Sequence, residues 1–210
     1  TRFEVVTGVQ TCALPIQKGH EVDGDHIMIL GAVYLKKQNK LANDTLVVTT
    51  MSNIGLHAAA KEYGIDLAIT DVGDRYVIEE MKKSGHNLGG EQSGHMIFLD
   101  YNTTGDGTLS SLIVSKIVKE EGKTLSEQSA LMTTYPQVLI NVEVRNEVKN
   151  KFMENDEIRA EIERLEKLMN GTGRVLIRPS GTQPLVRVML EGKDEGQIRE
   201  LAQGDRKSVV

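Results

Sequence analysis

TLVVTTMSNIGLHAAAKEYGIDLAITDVGDRY, residues 45–76, decides the fold. It opens on the β-branched run Thr45 to Thr50, which suits a buried strand. Asn53 can then cap a helix that runs to Tyr63 and stops at Gly64. Leu67 to Thr70 reads as a second strand, and Asp74 stands where it would cap a further helix closed by Gly85. Strand, helix, strand, helix is the pattern of βαβ units, so the strands are expected in one largely parallel sheet.

Reading outward from this stretch extends the same layer. Upstream, Asp23 precedes Ile27, Leu30, Tyr34 and Leu35 at helical spacing and predicts a capped helix to about Lys37. Downstream, short apolar runs around Leu88 and over Met96 to Leu99 add strands. Asp106 starts a helix through Leu109, Leu112, Ile113, Ile117 and Val118 that ends near Gly122. A short helix over 124–132 follows, and Pro136 marks a change of pattern. Beyond it come a strand at 138–144 and a helix capped by Asn155, with Ile158, Ile162, Leu165 and Met169 on one face and Asn170-Gly171 at its end. Strands at 174–177 and 185–190 precede a last helix, from Asp194, that is cut short. The expected fold class is α/β: a three-layer α/β domain with a mainly parallel sheet over residues 17–135, then a smaller α+β domain over 136–204.

The two ends do not share this patterning. Residues 6–16, VTGVQTCALPI, have no helical or strand period and stop abruptly at Gln17. They match the translation of a common sequencing adapter, and DRKSVV at 205–210 matches another. Residues 1–16 and 205–210 are therefore expected to be non-native, with the natural protein continuing on both sides. Cys12, the one cysteine, lies in the first of these segments, and a single cysteine excludes a disulfide scaffold.

Composition excludes further classes. The 210 residues carry 25 Lys+Arg against 30 Asp+Glu, a net charge of −5. Such a chain has no general basic field for nucleic acid or anionic lipid, so an anion must be held by a local site. No run of about 18 apolar residues is present to span a membrane. A cytoplasmic protein without nucleic-acid or membrane partners is expected, and no oligomeric state is assigned.

One turn concentrates what a phosphate dianion needs. Arg178-Pro179-Ser180-Gly181-Thr182-Gln183-Pro184, with Arg187 beyond it, offers two guanidiniums, two hydroxyls and a glycine that lets backbone N–H groups come close. A turn alone does not require Arg, Ser and Thr together. Between two strands, Gly89-Gly90-Glu91-Gln92-Ser93-Gly94-His95 can project Glu91, Ser93 and His95 alternately, a trio suited to sugar hydroxyls or an amine, with His95 able to donate to a phosphate or shuttle a proton. Thr70 to Tyr76 and Thr50 to Asn53 occupy strand C-terminal ends, the usual place for ligands in open α/β sheets, although capping accounts for Asp74 and Asn53. Asp23-Gly24-Asp25 and Gly105-Asp106-Gly107 are read as caps and not as a metal site, and His20, His26, His57 and His86 have no ligand spacing.

Taken together, VGDRY, GGEQSGH, FLDYNTTGDG and RPSGTQPLVRVM resemble the α-D-phosphohexomutases over Gln17 to about Gln203. Gln92 and the DYNTTGDG run favour the amino-sugar branch. Gln183 departs from the glutamate usual at that place. The resemblance makes the two domains the third and fourth of a four-domain enzyme. It implies that Glu91, Ser93 and His95 recognise the sugar, and that Arg178, Ser180, Gly181, Thr182 and Arg187 hold its non-reacting phosphate. It further implies a hexosamine phosphate substrate whose 6- and 1-phosphates are interconverted through a phosphoserine, with glucosamine 1,6-bisphosphate or glucose 1,6-bisphosphate as activator. Mg²⁺ belongs on an aspartate-rich loop just upstream of Gln17 in the intact parent. Neither the catalytic serine nor a metal ligand is assigned in this chain, which alone is expected to be inactive. A mutase for glucose or mannose phosphates and a non-catalytic sugar-phosphate binding protein are the alternatives.

Overall fold

The computed structural model describes residues 14–15, 21–145, 154–180 and 183–204. They divide into two compact units, 1–134 and 135–210. Most of the adapter-like segments, and Gly181 and Thr182, lie outside the described residues; Leu14–Pro15 (β1) pairs antiparallel with Glu21–Val22 (β2).

The first unit is built on a four-stranded sheet. Thr45–Thr49 (β3) lies between Asp66–Thr70 (β4) and Leu88–Gly90 (β5), both parallel to it, and Met96–Phe98 (β6) adds antiparallel to β5. Successive side chains of β3 point to opposite faces, and each face has its own cover. Leu46 and Val48 enter the larger core with Gly24–Lys37 (α1), Ile54–Glu62 (α2) and Gly107–Glu121 (α4). Val47 faces the other way, onto Val77 and Met81 of Asp74–Ser84 (α3). These are the three layers expected from the sequence. Residues 27–30 and 32–35 of α1 are all buried, so this helix is enclosed on every side, as a helix apolar all round must be. Met28, Met81 and Met96 fill gaps between the layers.

Caps set most of the helix starts. Asp23 accepts from His26 N–H, Asn53 from Gly55 N–H and Asp106 from Leu109 N–H. Asp74 does not cap α3, contrary to its sequence reading: Gly73, at φ +133°, takes the cap position and Asp74 is the first helical residue. The backbone there has left the extended conformation that an aspartate cap needs. Leu112 also departs from expectation. It is 65% exposed on α4, because Ser110, Val114 and Ile117 form the buried stripe and Leu112 lies off it. Leu125–Ser129 (α5), opened by the reciprocal Thr124–Glu127 capping box, completes the unit.

The second unit is a three-stranded antiparallel sheet in the order β7-β9-β8: Gln137–Glu143 (β7), Leu185–Gly192 (β9) and Gly173–Pro179 (β8). Asp156–Leu168 (α6), capped by Asn155, packs against β8, and Glu195–Gly204 (α7) packs against β7 and β9. Val138, Ile140, Val175, Val188 and Leu190 meet Met169, Ile198 and Ala202 in one core. The register therefore assigns the intervening residues to the opposite face. That face carries Gln137, Glu191 and Arg174 in one rung and Asn141, Arg187 and Arg178 in another.

Candidate functional site

The turn joining β5 to β6 holds Glu91, Ser93 and His95. The sequence places them in a loop between two strands, able to project alternately, and the hairpin brings them close together. Glu91 N–H donates to His95 O and Gly94 N–H to Glu91 O, each at 3.0 Å, with Gly94 at φ +95°. Ser93 Oγ then lies 3.3 Å from His95 Nδ1, and Glu91 Oε2 lies 3.9 Å from the same nitrogen. Glu91 is buried, and its Oε1 accepts Gly73 N–H at 3.0 Å. The loop after β4 is thereby tied to the loop after β5, an attachment that sequence spacing does not disclose.

Helix α1 braces this turn from behind. Gly24 N–H donates to Gln92 O at 3.0 Å. A Cβ at Gly24 would stand 2.2 Å from Glu91 O and 2.8 Å from Gln92 O, so only glycine permits the approach. Asp23 is more than a cap: Oδ1 meets His26 Nδ1 at 2.7 Å and Oδ2 accepts Gln92 Nε2 at 3.4 Å. Burial raises its carboxyl pKa, but the bonds from the His26 ring and backbone, the His26 charge and Gln92 outweigh it, leaving Asp23 below the ordinary value. The aspartate three residues ahead of a histidine at a helix start was the available signal for this pair. Asp25 turns inward, fully buried, and accepts Asn53 N–H at 2.7 Å. Arg75, in the first turn of α3, pairs along its own helix with Glu79.

In the second unit, Arg178 and Arg187 sit directly opposite each other on β8 and β9. Burial lowers the Arg178 pKa first and the Arg187 charge lowers it further. The Nε–H of Arg187 is buried and meets no acceptor among the described residues. Ser180 is buried beside them. Its N–H donates to Leu185 O at 2.9 Å, and its hydroxyl accepts Gln183 N–H at 3.2 Å, so the side chain fastens the turn. Two cationic groups held side by side with a buried donor unsatisfied suit an anion with several acceptor oxygens. Four residues away on β8, Arg174 meets the fully buried Glu191 at 2.7 Å.

Among the described residues, no group of three or more His, Cys, Asp and Glu side chains could hold a metal ion, and no helix is long and apolar enough to cross a membrane.

Comparison with known proteins agrees with both units. Residues 23–135 match the family model described as phosphoglucomutase/phosphomannomutase, alpha/beta/alpha domain III, and residues 139–204 match the C-terminal domain of that family. Phosphoglucosamine mutase of Clostridioides difficile is 70% identical over 186 residues, covering 89% of this chain and 42% of the relative. The chain thus spans about two fifths of the length of that relative. A crystal structure of Aspergillus fumigatus N-acetylphosphoglucosamine mutase in complex with GlcNAc-6P and magnesium shares the fold, with TM-score 0.75 and 21% identity over 94% of this chain and 49% of the other. The same fungal enzyme in complex with glucose 1,6-bisphosphate gives TM-score 0.71 and 20% identity, over 94% of this chain and 45% of the other. With most of each unit matched, the chain belongs to the phosphoglucomutase/phosphomannomutase family.

Proposed function

We propose that this chain supplies the sugar-holding and distal-phosphate-holding parts of a phosphoglucosamine mutase, the enzyme that interconverts glucosamine 6-phosphate and glucosamine 1-phosphate. The observation that carries the reading is the opposed pair Arg178 and Arg187, with the Nε–H of Arg187 buried and without an acceptor among the described residues. Like charges directly opposite on a sheet are destabilising, and a phosphate dianion between them removes that cost. The reading gives Ser180, Gly181 and Thr182 to the same phosphate, and Glu91, Ser93 and His95 to the sugar. The relative's name and the 70% identity support the amino sugar as substrate.

In the proposed whole protein, a phosphoserine transfers its phosphoryl group to the free hydroxyl of the sugar phosphate, giving a 1,6-bisphosphate and a serine hydroxyl. The other phosphoryl group then returns to the serine. Between these steps the two phosphates exchange places. A binding site for the non-reacting phosphate must therefore be separate from the reacting centre and accept either end of the sugar. The two loops of this chain fit that separate role. The reading places the work in the cytoplasm and requires Mg²⁺ in the whole protein, but the described residues offer no fitting site for the ion, so no step is routed through it. The serine nucleophile is assigned to no residue of this chain.

Titration of the chain with glucosamine 6-phosphate tests the reading. Each charge-assisted bond is worth about 1.5–3 kcal/mol, so Arg187→Ala is expected to raise Kd roughly 10- to 100-fold. An unchanged Kd would overturn the assignment. The chain alone is expected to show no turnover, since loss of a nucleophile costs on the order of 10⁶ in rate; measurable conversion to the 1-phosphate would place a nucleophile within it.

A further inference from the structure

The turn at 91–95 borders a cleft with a wall that the proposed function leaves unused. Glu21, Asp23, His26, Gln92, Ser93 and Thr134 line it, so it shares two residues with the turn and draws four from outside. The His26 and Asp23 side chains are 15% and 27% exposed, so both reach the cleft. His26 is held at one edge and presented at the other: Nδ1 lies 2.7 Å from Asp23 Oδ1, and Nε2 lies 3.4 Å from Thr134 Oγ1.

This geometry fixes the tautomer. An ionised carboxylate can only accept, so the proton of the 2.7 Å bond belongs to His26 Nδ1. In the neutral ring, Nε2 then carries a lone pair directed toward the Thr134 hydroxyl. A separation of 3.4 Å is the long end of a hydrogen bond, and a better-placed donor would displace it. The charged groups that line the cleft with the ring are Asp23 from its own helix start and Glu21 from β2; the turn contributes only Gln92 and Ser93. No lysine or arginine lines the cleft. Two carboxylates and a lone-pair nitrogen repel a phosphate and attract a hydroxyl or a protonated amine.

We propose that His26 and Thr134 form a donor-reading subsite that takes the amino group of a hexosamine phosphate and sets the preference for the amino sugar over glucose. The proposal rests on reading residues 91–95 as the sugar loop. His26 here contacts the ligand, and Asp23 is a positioning residue that fixes the ring.

The intact chain tests this with two ligands, glucosamine 6-phosphate and glucose 6-phosphate. His26→Phe keeps the ring but removes both nitrogens; Thr134→Val removes the hydroxyl at the rim and leaves the sequence of α1 unchanged. Each is expected to weaken glucosamine 6-phosphate roughly 3- to 10-fold, the worth of one hydrogen bond, and glucose 6-phosphate by less. Equal changes for the two sugars, or none, would overturn the subsite. The ¹⁵N resonance of His26 Nε2 gives a readout independent of the variants: it should move when glucosamine 6-phosphate is added, and a stationary resonance under saturating ligand is a refutation. Arg187→Ala separates this proposal from the reading beneath it. If that change weakens binding while the variants at 26 and 134 do not, only the subsite fails; if that change also has no effect, the parent reading fails with it.

Discussion

Strands β8 and β9 hold two arginine rungs four residues apart, and they differ in what stands opposite. Arg174 faces Glu191, fully buried and bonded at 2.7 Å. Arg178 faces Arg187. The first rung is complete within the chain; the second leaves a buried donor without an acceptor among the described residues. Burial of charge is tolerated when it is paired, so the completed rung belongs to the fold, and the incomplete one is the rung that the proposed function gives to a ligand. A residue type alone does not separate structure from binding; its cross-strand partner does.

Removing one side of each rung should split the two roles. Arg174→Met strips Glu191 of its cation in a buried position and is expected to cost about 3 kcal/mol, read as a lowered denaturant midpoint. Glucosamine 6-phosphate affinity of the folded fraction should stay unchanged. Arg187→Met should do the reverse. Binding falls by the 10- to 100-fold given above, whereas stability in phosphate-free buffer rises by about 0.5 kcal/mol as a like-charge pair disappears. A loss of stability in that variant would mean that Arg187 has a structural partner.

Arg187→Glu sharpens the contrast further, because it turns the second rung into a copy of the first. A stability gain of up to about 1 kcal/mol with no residual phosphate binding is expected, measured by thermal unfolding alongside calorimetry. The smallest effect lies in the first unit, where Asp23 serves His26 much as Glu191 serves Arg174. The Asp23 carboxyl lies below its ordinary value of 3.8, so its contribution is complete above that pH and is lost as pH falls through the lowered folded value. The wild-type chain and Asp23→Asn should therefore converge in stability below about pH 3.8; a gap that stays constant with pH would assign the residue's whole effect to neutral hydrogen bonding.

Much of the layer order was legible because it is local. Asn53, Asp106 and Asn155 announce their helices through a side chain that accepts an N–H two or three residues on. The β-branched run at 45–50 is long enough to be a strand wherever it packs. What escaped is set by distant partners. Asp74 resembles a cap in sequence, but Gly73 holds the cap position, with its N–H on Glu91, 18 residues further along the chain. Leu112 looks like part of an apolar face until the placement of α4 decides which stripe is covered. Arg178 and Arg187 are read in the sequence as a phosphate-gripping set, yet their mutual opposition depends on the register of β8 against β9. The clustering of Glu91, Ser93 and His95 likewise needed the hairpin, and Gly181 and Thr182 lie outside the described residues.

The bare α-carbon of Gly24, pressed against Glu91 and Gln92, also bears on how members of this family can be recombined. A chimera that imports a foreign 91–95 turn but keeps the resident helix start would join two surfaces shaped for different partners. Residues 23–26 and 91–95, far apart in the gene, form one heritable cassette, and crossovers that fall between them should be recovered far less often than crossovers on either side.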